Sequence, residues 1–287
     1  TSNAAGIDTA DLEPFSTQLA YNAGLITPSA PGVYNSALNS YGNKQEKGVD
    51  SRGYMSETVI TLGGNYSDKL FLGATFAFPH LRYNEIASYK EIVENDSLNT
   101  LKSFTYDQNL STKGTGFNFK FGMIYKPVDW IRIGGAVHTP TYFDMSDGWS
   151  STIKADFDTV SYEANSPDGN YNYNLTTPMR AIASLGIVIH QMGLVGIDYE
   201  FVDYSSSNLS SASFKYFDEN TNIRSKYTSS GNIRVGTEWK LEPLSIRAGY
   251  ALYGSPYRSS VNNDGSRTSY TAGIGFREEN FFLDFGY

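Results

Sequence analysis

Phe117-Asn118-Phe119-Lys120-Phe121-Gly122-Met123-Ile124-Tyr125 is the stretch whose reading decides the fold. Phe117, Phe119, Phe121, Met123 and Tyr125 are apolar or aromatic, with Asn118, Lys120 and Gly122 between them. Successive side chains of a strand point to opposite faces, so this segment has one greasy side and one wet side.

The same alternation returns along the chain from about Met55 to the end. Ile131, Ile133 and Val137 oppose Arg132, Gly134 and His138; Ala183, Leu185, Ile187 and Ile189 oppose Ser184 and Gly186, with Arg180 ahead in the polar phase. Val195, Ile197, Tyr199 and Phe201 oppose Gly196, Asp198 and Glu200. Ile233, Val235 and Trp239 oppose Arg234, Gly236 and Glu238, and Ile246, Ala248 and Tyr250 oppose Ser245, Arg247 and Gly249. Tyr270, Ala272, Ile274 and Phe276 oppose Thr271, Gly273, Gly275 and Arg277. The pattern is less clean over 55–66 and 69–83, and a last strand runs from Phe281 to Tyr287, which makes about ten strands.

The connections alternate between short and long. Ser67-Asp68, Pro127-Val128-Asp129, Gln191-Met192, Leu241-Glu242-Pro243 and Glu278-Glu279-Asn280 are short; 84–113, 144–172, 205–228 and 256–268 are long and rich in Ser, Asn, Asp, Gly and Tyr. Transmembrane barrels sort their loops this way, with tight turns on the periplasmic side and long loops outside. The alternative is a soluble antiparallel barrel or sandwich whose apolar faces meet in a core. Glycine in nearly every polar face, and Trp and Tyr near strand ends (Tyr125, Trp130, Trp239, Tyr250), favour the membrane. The expected fold is therefore all-β, an antiparallel transmembrane barrel.

Residues 1–54 read as an extracellular loop region with a short helix, and 55–287 as barrel strands and their loops. Asp8–Ile26 has helical spacing at Leu12, Phe15 and Leu19, with Asp8 or Thr9 as cap, and 27–50 reads as loop. Ile86–Leu101 is read as partly helical.

Composition narrows the function. The 287 residues carry a formal charge of −8, which argues against a nucleic-acid binder. Cysteine is absent, so no disulfide framework or thiolate metal site exists. Charged residues are 18%, against 27 Gly, 22 Tyr and 17 Phe, as befits an exterior that faces something other than water. The longest nearly uninterrupted apolar stretch, Ala181 to Ile189, is about half the ~20 residues a spanning helix needs. No phosphate loop or zinc motif is present, and His80, His138 and His190 have no ligand spacing, so neither a cofactor nor a metal is expected.

Four segments carry a family resemblance: Gly114–Pro127, Thr177–Ala181, Asp198–Tyr204 and Arg247–Tyr257. In order, from about Met55 to Tyr287, they resemble the FadL/TodX/OmpP1 family of outer-membrane transporters, in the manner of its divergent Bacteroidetes-like branch. The resemblance implies a 14-stranded barrel with an N-terminal hatch and a kinked strand that opens a lateral gap. By order, the strands here resemble the fourth to the thirteenth. By that order the hatch, the first three strands and the closing strand are expected outside this chain, and ten strands are not expected to be the whole barrel, since an open edge is not tolerated in lipid.

The resemblance also implies passive uptake of hydrophobic small molecules such as long-chain fatty acids through a Gram-negative outer membrane. The partners would be the ligand, or detergent in its place, and outer-membrane lipid, with the protein acting as a monomer. The external ligand groove of the family lies between loops resembling 84–113 and 144–172. These supply Tyr83, Ile86, Leu101, Phe104, Tyr142, Phe143 and Trp149 as groove residues, with Leu98 and Met145 nearby. An arginine can grip a carboxylate at two points, so Arg132 and Arg180 are the candidate partners of a fatty-acid head inside the barrel. Two other classes stay open: a lipid-acting enzyme built on His138 and a serine, and a structural or adhesive barrel.

Overall fold

The computed structural model describes residues 2–38, 42–93, 100–190 and 192–287. Leu98 and Gln191, named above, lie outside the described residues. A small hairpin, β1 (Ile26–Ala30) and β2 (Val33–Ser36), precedes the main sheet. That sheet contains β3 (Lys44–Tyr66), β4 (Leu70–Ile92), β5 (Leu101–Val128), β6 (Ile131–His138), β7 (Tyr142–Phe157), β8 (Ser161–Asn165) and β9 (Gly169–Thr176). It continues through β10 (Arg180–Ile189), β11 (Gly193–Asp203), β12 (Asn208–Ser210), β13 (Ser229–Leu241), β14 (Leu244–Tyr253), β15 (Arg267–Arg277) and β16 (Phe282–Gly286). Two helices, α1 (Thr17–Asn22) and α2 (Phe217–Lys226), complete the elements, and no described helix is long and apolar enough to cross a membrane.

The 14 assigned segments are ten strands. Three of the ten are interrupted: β6 with β7 at Thr139-Pro140-Thr141, β8 with β9 and β10 at Pro167 and Pro178, and β11 with β12 at the turn Tyr204–Ser206. Proline has no N–H to give the ladder, and at the proline breaks threonine hydroxyls serve as acceptors for strand N–H groups. The Thr139 hydroxyl accepts from the Phe119 N–H at 3.0 Å, and that of Thr177 accepts from the Thr141 N–H at 3.0 Å. Consecutive strands pair antiparallel from β10 through β11, β13, β14 and β15 to β16. Among the described residues β3 pairs with β4 alone and β16 with β15 alone, so the sheet is open.

The long connections differ from expectation. β4 runs on to Ile92 and β5 starts at Leu101, so most of 84–113 is strand, neither loop nor helix. Residues 144–172 are likewise mostly β7 and β8, and β3 begins at Lys44, inside the region read as loop. Strands of 23 and 28 residues are far longer than the ~9–11 that span a bilayer. Outside lipid neither face must be apolar, so these extensions lack the signal that marks a membrane strand. The stretch 205–228 contains α2, with Asp218 and Glu219 in the first turn and Arg224 and Lys226 in the last, which suits the helix dipole.

By contact density the chain forms two units, each described here by itself. The first contains Thr1–Ser56, His80–Gly114 and Met145–Asn172. Its core is Leu19, Ala23 and Leu25 from the N-terminal segment against Leu101, Ile153 and Ala155 of the strands. A second cluster joins Ala4, Leu12, Ile26 and Tyr34, whose hydroxyl donates to the Ile7 carbonyl at 2.9 Å. Burial, and then the charge of Asp8, holds the Tyr34 phenol above its usual range. Helix α1 is shorter than its spacing suggested, and Asp8 does not cap it. The Asp8 carboxylate instead accepts from the Ala10 N–H at 3.1 Å in a local turn.

The second unit contains Glu57–Pro79, Thr115–Asp144 and Tyr173–Tyr287. Register places the apolar phases of β5, β6, β10, β11 and β13 to β15 on one face: Leu185, Ile197 and Val235 are direct cross-strand partners, and so are Tyr250 and Tyr270. These large side chains have no core to enter. Phe121 is 46% exposed, Ile133 50%, Ile197 41% and Ile274 48%. Such an apolar surface marks contact with lipid or another apolar partner. Phe76 packs on it against Phe119 and Phe78 against Phe117, with centroids 5.1 and 5.7 Å apart.

On the opposite face Phe143 lies over Gly116, where an added Cβ would stand 2.8 Å from its ring and 3.0 Å from the Tyr142 carbonyl. Gly116→Ala is therefore expected to cost about 1–3 kcal/mol in a denaturant titration of the folded barrel, and a neutral result would show that Phe143 moves freely.

Candidate functional site

The polar face of the second unit is built by the register of its strands. Lys120, His138 and Arg180 are directly cross-strand from one another on β5, β6 and β10. Glu200, Asn232 and Tyr253 align on β11, β13 and β14, where Arg267 of β15 faces Tyr253 with its guanidinium 4.4 Å from the ring centroid. Between these rows and the turns runs a line of paired glycines, Gly186, Gly196, Gly236 and Gly249, with Arg132 at its β6 end opposite Gly186.

Most charges on this face are neutralised locally. Lys120 pairs with Glu57, whose carboxylate also accepts from the Asn118 amide at 3.2 Å. Glu200, 7% exposed, accepts from Asn232 at 2.8 Å and Arg234 at 3.2 Å. Arg247 bridges Glu238 at 2.9 Å and Asp284 at 2.5 Å. A cavity of about 730 Å³ borders Asp198, Arg234, Glu238, Arg247 and Asp284, with Gly196, Gly236 and Gly249 in its wall. Arg132 and Arg180 differ: both are exposed, and among the described residues neither forms an ion pair or side-chain hydrogen bond. His138 has Lys120 and Arg180 as cross-strand neighbours, and among the described residues no serine hydroxyl bonds it.

The expected groove residues do not form one site. Leu101 is fully buried in the core of the first unit, where it cannot touch a ligand; packing of the N-terminal segment claims it. Phe104 packs against the same cluster and faces Tyr89 at 5.9 Å. Burial and then Glu91, which accepts the hydroxyl proton at 2.8 Å, push the Tyr89 phenol up to about 12. The Tyr83 hydroxyl donates to Glu85 at 2.5 Å.

In the second unit, Phe143 is buried on Gly116, while Tyr142 is exposed. Among the described residues, Ile86 and Trp149 border one cavity, of about 470 Å³, in the first unit. Trp149 lies flat on Gly169, where an added Cβ would stand 2.2 Å from the indole, and Phe15 packs beside it at 5.8 Å. The pairing of Glu57 with Lys120 and the packing of Phe15 on Trp149 were not foreseen. Both join residues far apart in sequence, and only strand order and chain return could reveal them.

The fold has solved relatives. A FadL homologue of Pseudomonas aeruginosa matches with a TM-score of 0.52 at 15% identity, over 84% of this chain and 59% of that one. The toluene transporter TbuX of Ralstonia pickettii matches with a TM-score of 0.53 at 16% identity, over 88% of this chain and 68% of that one. The chain thus spans 59% of the length of the first. No curated protein matches the sequence. The model of the family described as outer membrane protein transport protein (OMPP1/FadL/TodX) matches residues 66–287. An antiparallel sheet with one apolar, exposed face and one polar, ion-paired face is what that family requires in a membrane, and the chain belongs to the OMPP1/FadL/TodX family of outer-membrane proteins.

Proposed function

We propose that this chain forms most of a passive outer-membrane route for hydrophobic small molecules such as long-chain fatty acids. The ligand enters from the extracellular side, and Arg180 or Arg132 meets its carboxylate on the polar face. The protein works as a monomer in outer-membrane lipid, and the step is binding followed by diffusion, with no cofactor.

The observation that carries the reading is the contrast among the cations. Lys120, Arg234 and Arg247 are each held by a carboxylate, whereas Arg132 and Arg180 are not. A guanidinium with no direct ion pair or hydrogen bond keeps its N–H fork open to an anion in two-point fashion. A hydrocarbon lacking a carboxylate, like the toluene for which the Ralstonia relative is named, would have no use for these residues.

Fluorescent fatty-acid binding to Arg180→Ala and Arg132→Ala proteins separates the cases. Loss of one charge-assisted hydrogen bond should weaken binding about tenfold to a hundredfold in at least one variant, with toluene uptake unchanged. Equal fatty-acid affinity in both variants and the parent would remove the arginines from the route.

A further inference from the structure

The chain has a net charge of −8, yet its long connections divide by sign. Acidic residues outnumber basic ones in 84–113 and 144–172, and the reverse holds in 205–228 and 256–268. The basic excess gathers at one place in the second unit, the C-terminal end of α2. Arg224 and Lys226 stand in the last turn of that helix, and Arg258 joins them from the connection after β14. The Arg258 backbone N–H donates to the Lys226 carbonyl at 2.8 Å, and its Nε to the carbonyls of Arg224 and Tyr227 at 3.2 and 3.0 Å.

A helix end explains why three cations can share this place, since its free carbonyls attract positive charge. It leaves their outer N–H groups unused. All three side chains are exposed, and among the described residues none of them forms an ion pair. The acidic residues of the same connections are set apart or engaged. Asp218 and Glu219 lie in the first turn of α2, and the Asp264 carboxylate accepts from the Ser266 N–H and hydroxyl at 2.9 and 3.0 Å.

The cations are also held in place. Tyr227 and Tyr257 form an antiparallel bridge with their rings 5.2 Å apart, and the Thr228 N–H donates to the Pro256 carbonyl at 2.9 Å. The buried Asn220 exchanges two 2.8 Å bonds with the Leu209 backbone of β12, which anchors the helix. Because Arg258 is clamped through Nε, its two Nη groups point in a fixed direction, the geometry that grips a phosphate at two points.

The surroundings choose among anions. The patch begins where the lipid face ends, just beyond Leu252 of β14 and just before Ile233 of β13. Phe217, 73% exposed, stands two turns before Arg224 on the same face of α2, and Phe214, 51% exposed, precedes the helix. An ion dissolved in water has no use for these rings, whereas a lipid offers them apolar contact at the edge of its head groups. A phosphate, with three acceptor oxygens and about two charges, also answers three cations better than a carboxylate does. We infer that the C-terminal end of α2, together with Arg258, docks the phosphate head of an outer-leaflet lipid, apart from the route proposed above and without Arg132 or Arg180.

The test titrates the purified full chain in micelles with bis-phosphorylated lipid A and with its dephosphorylated form, and reads bound lipid by native mass spectrometry. The phosphorylated form should bind at least about tenfold more tightly. The Arg224→Gln/Lys226→Gln protein should bind it at least about tenfold more weakly, since each cation near an anionic lipid surface contributes about a factor of five. Arg258 stays in that variant because it holds the helix end, and circular dichroism and heat-modifiable mobility verify the fold. Lys102→Gln/Lys154→Gln removes the same charge from β5 and β7 and should bind like the parent. Inorganic phosphate or palmitate at the concentration of the lipid should leave it bound. The inference is overturned if the dephosphorylated form binds as tightly, if the Arg224/Lys226 variant binds like the parent, if the control variant loses as much, or if phosphate or palmitate displaces the lipid. None of these outcomes bears on the Arg132 and Arg180 variants, so the two readings stand or fall separately.

Discussion

Arginine at position 197 should keep the protein from folding stably into a bilayer. Ile197 sits near the middle of β11, 41% exposed, between Leu185 and Val235 on the apolar face. A charge on the lipid face near the bilayer midplane costs about 2–4 kcal/mol. The neighbouring position supplies the control. An added Cβ at Gly196 meets nothing within 4 Å on the polar face, so Gly196→Ser should stay within about 0.5 kcal/mol of the parent. Equilibrium unfolding from phospholipid vesicles measures both. If Ile197→Arg is as stable as Gly196→Ser, the apolar face does not meet lipid, and the soluble sandwich returns as the better account.

Arg234→Met carries the second large effect. Glu200 is nearly sealed from solvent, and its carboxylate rests on Asn232 and Arg234. Removing one partner of a buried pair costs about 3–5 kcal/mol, because the remaining charge is stranded. Arg234 keeps about a third of its side chain exposed, so the loss should fall near the low end, about 3 kcal/mol. Adding Glu200→Gln to Arg234→Met takes away the stranded charge and should recover at least about 1 kcal/mol. Additive losses in that double-mutant cycle would mean that the pair is solvated and contributes little.

The membrane strands were legible because lipid imposes a strict rule on alternate residues. Phe117 to Tyr125, Val195 to Phe201 and Ile233 to Trp239 each show it, and each lies in the structure on the face its phase assigned. The tight turns were legible too. Ser67 and Asp68 both take positive φ, the geometry of a two-residue hairpin. The extensions of β4 and β5 were missed because water on both faces erases the two-residue period. Helix α2 was missed although its acidic first turn and basic last turn were in view; with almost no apolar stripe it lacks the usual helical period. The groove residues fared worst. Apolar residues in a polar stretch are equally compatible with a ligand surface and a local core, and for Leu101 the core formed by Leu19 and Ala23 wins.

From sequence alone come the all-β class, the face each residue takes within a strand, the count of about ten strands and the family. These depend on local periodicity and on residues close together in the chain. Only the tertiary structure decides which cations are answered. Lys120 meets Glu57 across 63 residues and Arg234 meets Glu200 across 34, while among the described residues Arg132 and Arg180 form no ion pair. It likewise sets Phe15 of the N-terminal segment against Trp149. Contacts of that kind depend on strand order and register, which are set by pairing between distant segments and leave no trace in any one of them.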